Sequence, residues 1–208
     1  MNEISGISIE TGIIEDVDTA AELTFMAYHK FSYDIFGKVG EETAISYYKK
    51  LWLHGSNRFG YKFSYVAKMD GKPIALMTCY PSYAIKNLVA PTVRQLFIIG
   101  KFSFFCHFIT HLSNFYYFSG SQDVYNDEFY IATLSVLPQY RSKGVGAMLL
   151  NHARKITQDY NLRRCVLHVS ADNTDGIRFY ERNGFHKANP NESPSTYFRM
   201  VCSVNVYT

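Results

Sequence analysis

Four residues in one short stretch have the types and spacing to hold a bulky anion. In LSVLPQYRSKGVGAMLL, residues 134–150, Arg141 and Lys143 bring full positive charge to the turn from which Gly144 and Gly146 remove side chains. An apolar run precedes them, Pro138 interrupts it, and apolar residues at helical spacing follow. The first backbone N–H groups of a helix have no intrahelical partner and carry the positive end of its dipole. Set beside two cations, such a helix start suits a phosphate or pyrophosphate, and glycine lets the main chain come close to it. The spacing is not that of a P-loop, because no G-x-x-x-x-G-K-[ST] is present. Nor is it the dinucleotide fingerprint G-x-G-x-x-G, since Leu149 stands at the third glycine position. Taken alone, the string also fits a tight glycine turn with a solvated basic edge.

The rest of the chain must supply the strand and helix on either side. Its 208 residues are 47% hydrophobic and 19% charged, enough to bury the core of one domain and too apolar for disorder. A net charge of +3, with no run of Lys or Arg, argues against a nucleic-acid partner. Cys79, Cys106, Cys165 and Cys202 show neither C-x-x-C nor metal-ligand spacing. They are expected as buried free thiols in a reducing cytoplasm, with no metal site. The opening MNEISGISIE lacks the basic start and apolar core of a signal peptide, which also points to the cytoplasm.

Periodicity predicts a strand over residues 7–14 and a helix over 19–30 capped by Asp16 or Asp18. An irregular segment at Phe36-Gly37 and a helix over 41–52 follow. Strands over 62–69 and 73–80 are joined by Asp70-Gly71, a strong hairpin signal. Further strands are expected over 129–136, 164–169 and 196–206, and helices over 143–160 and 174–183, the last stopped by Gly184. This is a mixed α/β (α+β) order in a single domain, without repeats or linkers.

Residues 81–127 interrupt the strand series. Their centre, residues 96–118, is long enough for a membrane span, but Lys101, His107, His111 and Asn114 argue against one. Ser103, His107, Thr110 or His111, and Asn114 form a narrow polar stripe on a mostly apolar helix. Three readings stand: a helix packed over the sheet, a wall of a substrate pocket or subunit interface, or an element lying on a membrane surface.

A second patterned segment lies downstream, ADNTDGIRFYERNGF, residues 171–185. Together the two resemble the acetyl-CoA-binding core of the GNAT (Gcn5-related N-acetyltransferase) superfamily. Arg141 to Gly146 match its R/Q-x-x-G-x-G/A hallmark, and Leu134, Val136 and Pro138 match the strand before it. Asn173, Tyr180, Gly184 and Phe185 fall in register with N-x-x-A-x-x-x-Y-x-x-x-G-F. Gly176 stands where alanine is usual, a mild departure because both are small. The similarity covers about the last 80 residues, a core over 127–206, and makes 81–126 a helical, aromatic-rich insertion.

The resemblance implies a mostly antiparallel central sheet flanked by helices. It also implies transfer of an acetyl group from acetyl-CoA to a primary amine of a small molecule or peptide, by direct attack in a ternary complex. Cofactor contacts would come from Leu134, Ser135 and Val136 beside the pantetheine arm, and from Arg141, Ser142, Lys143, Gly144, Val145, Gly146 and Ala147 around the pyrophosphate. Asn173 and Tyr180 would join them, seven residues or about two helical turns apart. The Val136 N–H would polarise the thioester carbonyl. Tyr180 would be the general acid, since a phenol with a pKa near 10 holds its proton at neutral pH.

No residue is singled out as the base; Glu128, His107, His111 and His168 are considered, and Tyr130 is expected to line the acceptor side. Strand alternation would put Tyr130 and Ala132 on the face of Leu134 and Val136. The segments expected to choose the acceptor, residues 28–40 and 80–127, are aromatic and poor in acids. They favour an acceptor with an apolar body or a peptide terminus over a polycation. No membrane span is expected, and a second copy of the chain could cover the insertion. The competing class is an acyl-CoA sensor or interaction module that has lost turnover, against which Asn173 and Tyr180 are both retained.

Overall fold

Asp70 and Gly71 take φ of 51° and 74°, the left-handed pair that a two-residue hairpin turn requires. They join β2 (Ser64–Met69) to β3 (Lys72–Pro81) as a hairpin. The structure, a computed structural model, describes residues 6–110, 125–189 and 196–204. The other strands are β1 (Ile7–Thr11), β4 (Glu128–Val136), β5 (Arg164–Ser170), β6 (His186–Lys187) and β7 (Tyr197–Ser203). Their spatial order is β1-β2-β3-β4-β5-β7-β6. Among the described residues only β4 and β5 pair in parallel, joined by the crossover helix α4 (Val145–Asp159) that such a pairing needs.

Alternation along the strands sends neighbouring residues to opposite faces. Met77, Cys79, Phe129, Ile131, Cys165, Leu167 and Met200 pack on one face with Leu149, Leu150 and Ala153 of α4 and Ile177 of α5 (Thr174–Arg182). On the other face Val66 and Leu76 meet Ala20 and Leu23 of α1 (Val17–Phe36) and Trp52 of α2 (Glu41–His54). Cys79, Cys165 and Cys202 are free and buried.

Several boundaries differ from those expected. β1 stops at Thr11, and a short 3-10 turn over Ile14–Asp16 leads into α1. Asp16 does not cap α1 through its side chain; the carboxylate accepts from the Ile13 N–H at 3.1 Å and pairs with Lys68 Nζ at 2.9 Å. α1 continues to Phe36 because Ile35 and Phe36 are buried against α2 and the following loop, and Gly37 ends it.

As far as Thr110, the interruption after β3 is a helix, α3 (Ser82–Thr110), that runs through Pro91. Ile85 and Leu88 pack on Tyr80 and Tyr130, while Leu96 and Ile99 pack on α1 and α2. Within residues 96–118, Leu96 and Ile99 rest on α1 and α2 and not on the sheet. No helix among the described residues is long and apolar enough to cross a membrane. His111 and Asn114 of the polar stripe lie outside the described residues, as does the side chain of His107.

Candidate active site

β4 and β5 pair only where Glu128–Ile131 face Arg164–Leu167. Beyond Ile131 they part: β4 stays on β3 as far as Val136, and β5 continues along β7 to Ser170. At the same point Thr78 faces Thr133 while Cys79 faces Ile131, so Ala132 is the extra residue of a β-bulge. Tyr28 of α1 serves that bulge. Its hydroxyl donates to the Ala132 carbonyl at 2.7 Å and accepts from Thr133 Oγ1 at 3.1 Å. Burial pushes the Tyr28 phenol up to about 12, so it stays a donor. The bulge also reverses alternation. Tyr130 and Ala132 pack with Tyr80, Val166 and Val201, whereas Leu134 and Val136 pack on the α4 side. The expectation of one shared face is therefore corrected.

The glycine turn begins where β4 ends. A short 3-10 turn over Pro138–Tyr140 uses the Arg141 N–H, which donates to the Pro138 carbonyl at 3.2 Å. Ser142 and Gly144 take φ of 59° and 85°, and Gly144 stands at the start of α4 without a side-chain cap. A Cβ on Gly144 would meet nothing within 4 Å, so its backbone conformation, not space, calls for glycine there. The first α4 bond runs from Met148 N–H to the Gly144 carbonyl. This leaves the amides of Val145, Gly146 and Ala147 as helix-start donors. Arg141 Nε donates to the Val136 carbonyl at 3.0 Å, tying the turn to the strand end. Lys143 Nζ lies 5.6 Å from the centre of the Tyr140 ring.

Gly146 has a different reason for being glycine. A Cβ there would lie 3.0 Å from Phe179 Cζ, so the absent side chain lets α5 pack on the start of α4. Asn173 opens α5, its Oδ1 accepting from the Gly176 N–H at 2.9 Å. A Cβ on Gly176 would lie 2.6 Å from Asn173 Nδ2, so alanine there would require the Asn173 side chain to shift. The Asn173 amide occupies the space of the missing methyl. The half-buried Tyr180 ring packs edge-on against Phe179 and Phe185, with centroids at 5.3 and 5.9 Å. Desolvation pushes its phenol up to about 12. No hydrogen bond to its hydroxyl occurs among the described residues.

These groups line one cleft of about 1820 Å³, with the strand parting at its middle. Leu134, Ser135, Val136, Arg141, Ser142, Gly144, Val145, Gly146, Ala147, Asn173 and Tyr180 all line it, whereas Lys143 does not. The other end is walled by Tyr28, Phe31, Arg58, Phe59, Tyr130, His168 and Tyr197. The parallel register brings Tyr130 and His168 together, with Tyr130 Oη 3.4 Å from His168 Nδ1. Burial, reinforced by Tyr28 and Tyr80, pushes the Tyr130 phenol far above its ordinary value. Tyr130 therefore stays protonated, and the direction of its contact with His168 Nδ1 follows the imidazole tautomer.

Glu128 is neither a base nor a surface charge. It is fully buried, with Oε1 2.5 Å from Arg199 Nη2 and 3.3 Å from Arg164 Nε, and Oε2 accepts from the Tyr125 N–H. Sequence reasoning passed over Arg58, and held Tyr28 only as the first residue of a segment expected to choose the acceptor. Neither sits in a motif; each is brought to the cleft by a helix or loop whose packing is decided over long range.

The model of the acetyltransferase (GNAT) family matches residues 27–185. An uncharacterized N-acetyltransferase of Methanocaldococcus jannaschii is 24% identical over 200 residues, 96% of this chain and 68% of its own length. A crystal structure described only as an acetyltransferase aligns with a TM-score of 0.68 at 21% identity, over 95% of this chain and all of its own. The PaiA N-acetyltransferase of Thermoplasma acidophilum, solved in complex with coenzyme A, aligns with a TM-score of 0.54 at 18% identity, over 95% and 99% of the two chains. Both structures share the fold. With its family model spanning the parted strands, the glycine turn and α5, this chain belongs to the acetyltransferase (GNAT) family.

Proposed function

We propose that the chain is a single-domain, acetyl-CoA-dependent N-acetyltransferase that joins donor and amine in one cleft. The observation that carries this reading is the parting of β4 from β5 beside a helix start with unpaired amides. Those features suit the two ends of a coenzyme A: a strand edge for an amide-bearing arm and a dipole-bearing turn for a pyrophosphate. Leu134, Ser135 and Val136 offer the edge; residues Ser142 to Ala147 offer the turn, with Arg141 holding it to the strand. Asn173 opens the helix that carries Tyr180 to the same cleft. Bound there, acetyl-CoA supplies the thioester carbon that the amine attacks. As the C–N bond forms and the C–S bond breaks, the Val136 N–H stabilises the carbonyl oxygen and Tyr180 gives its proton to the leaving sulfur.

The amine must lose a proton. With His168 in the tautomer that leaves Nδ1 as an acceptor, the Tyr130 oxygen can take the amine proton as its own proton moves to the imidazole. The pair thus acts as a two-step relay. Buried Cys79, Cys165 and Cys202, all free, support a reducing cytoplasm.

Thiol release from acetyl-CoA, measured across a panel of amines and peptides, tests turnover; melting temperature with and without acetyl-CoA tests binding. Both a melting shift and acceptor-dependent thiol release are expected. A shift without release for any acceptor would leave a sensor, and no shift at saturating ligand would remove the donor site.

A further inference from the structure

We propose that Tyr125 is a stacking subsite for the acceptor, and that the acceptor is an amine carrying an aromatic ring a few carbons from its nitrogen. This rests on the N-acetyltransferase reading and names its substrate class. Tyr125 is 61% exposed and lines the cleft, whereas the comparably exposed Tyr83 and Tyr160 lie outside it. A ring left open to water gains little from burial, yet this one is held at both its backbone and its side chain. Its N–H donates to Glu128 Oε2 at 2.9 Å, and its carbonyl accepts from the Glu128 N–H at 3.2 Å. Two guanidiniums lie within cation–π reach, Arg199 Cζ at 5.2 Å and Arg164 Cζ at 5.7 Å from the ring centre. Both are tied down in turn. Arg199 Nη2 is 2.5 Å from Glu128 Oε1, and Arg164 Nη2 is 2.7 Å from Asp127 Oδ1. The fully buried Glu128, 3.3 Å from Arg164 Nε as well, thus fixes the Tyr125 backbone directly and its ring through the two cations.

The strand register places this ring beside the proposed chemistry. Glu128, which holds the Tyr125 N–H, shares a face of β4 with Tyr130, two residues or about 7 Å further along. Arg199, beneath the ring, stands opposite His168 in the pairing of β5 with β7. Tyr125 is therefore tethered next to the strand positions of the pair proposed to take the amine proton. The electrons of the ring already face two cations, so a second ammonium on the acceptor would compete with them and meet like charge. A neutral aromatic ring meets neither penalty and gains from face or edge contact. The amine thus belongs at the Tyr130 end and a flat, uncharged body at the Tyr125 end.

The test measures thiol release with benzylamine, phenethylamine, phenylpropylamine and phenylbutylamine, each against its cyclohexyl counterpart, with spermidine and an alanine tripeptide amide as competing classes. At one chain length the aryl amine should exceed its counterpart by about fivefold in kcat/KM, as an aromatic pair gives. Tyr125→Ala should bring that ratio to near one by raising the KM of the aryl amine, with its kcat and the KM for acetyl-CoA unchanged. Tyr125→Phe, which keeps the ring, should keep the ratio. Calorimetric titration of the coenzyme A-loaded protein with N-acetylphenethylamine and its cyclohexyl counterpart reads the same preference without turnover. Equal rates and equal binding for aryl and cyclohexyl partners in the unaltered protein would overturn the proposal, as would spermidine or the tripeptide amide outrunning every aryl amine. An aryl preference that survives in Tyr125→Ala would also overturn it. Should that variant not fold, Tyr125→Leu makes the same comparison. Absence of thiol release with every acceptor, alongside tighter, Tyr125-dependent binding of the acetylated aryl amine, would sink the catalytic reading and leave the subsite standing.

Discussion

The two ends of the cleft are made in different ways. The donor end comes from one continuous stretch, the close of β4, the glycine turn, the start of α4 and the start of α5, with every contact inside about fifty residues. The acceptor end is gathered from α1, the loop after α2, the middle of β4, β5 and β7, and α3 buttresses it from behind. The first is a local device that can be carried from chain to chain. The second exists only when the whole sheet and its helices are assembled, so the proposed donor site is local in the sequence and the proposed acceptor site is not.

The sharpest way to break this division removes one oxygen from each end. Tyr180→Phe and Tyr130→Phe should each lower kcat about 100-fold, as expected for a missing acid or base, with the acetyl-CoA melting shift intact. They should then diverge with acceptor basicity. Tyr130→Phe should lose least with a weakly basic amine that arrives already deprotonated, and Tyr180→Phe should lose equally across amines. Rates that track acceptor basicity alike in both variants would remove the separate roles.

A smaller effect is expected where the ends meet. Tyr28→Phe leaves the bulged Ala132 carbonyl without its donor, at a cost of about 1–3 kcal/mol in urea unfolding. The KM for the amine should rise more than that for acetyl-CoA, because Tyr28 lines the acceptor wall. Gly176→Ala, confined to the donor end, should cost about 1 kcal/mol by displacing the Asn173 cap. It should weaken acetyl-CoA binding and leave the ranking of acceptors unchanged.

The smallest effect is in the pH profile. Tyr180 has its phenol raised to about 12 from an ordinary value near 10, so the protonated form is the one the fold favours. Its contribution to stability is complete below pH 10 and is lost as the pH rises from there towards 12. Turnover of the unaltered protein should show no Tyr180-dependent decline between pH 8 and 10. A fall in that range that vanishes in Tyr180→Phe would refute its role as acid.

The turn and helix start proposed for the donor were legible in the sequence because glycine conformation, helix starts and strand ends are short-range properties. Even there the reasons shifted: Gly146 was expected to admit an anion, and it faces the Phe179 ring instead. Arg141 was expected beside a phosphate, and its Nε is engaged with the Val136 carbonyl. The acceptor end was hidden for physical reasons. One extra residue in β4 reverses which face Tyr130 occupies, and alternation cannot reveal a bulge that is set by the partner strand. Tyr130 and His168 are 38 residues apart and meet only through a parallel register. Arg58 lies in a loop with no repeat, run or motif to mark it.

The contact between Gly146 and Phe179 has a further consequence for how such chains can change. The family motif accepts glycine or alanine at the position of Gly146, but in this chain the ring at 179 has already made the choice. A lone exchange to alanine meets an aromatic edge; the same exchange in the company of a leaner residue at 179 does not. The two positions, 33 residues apart in the chain, behave as a lock with two tumblers that must be turned together.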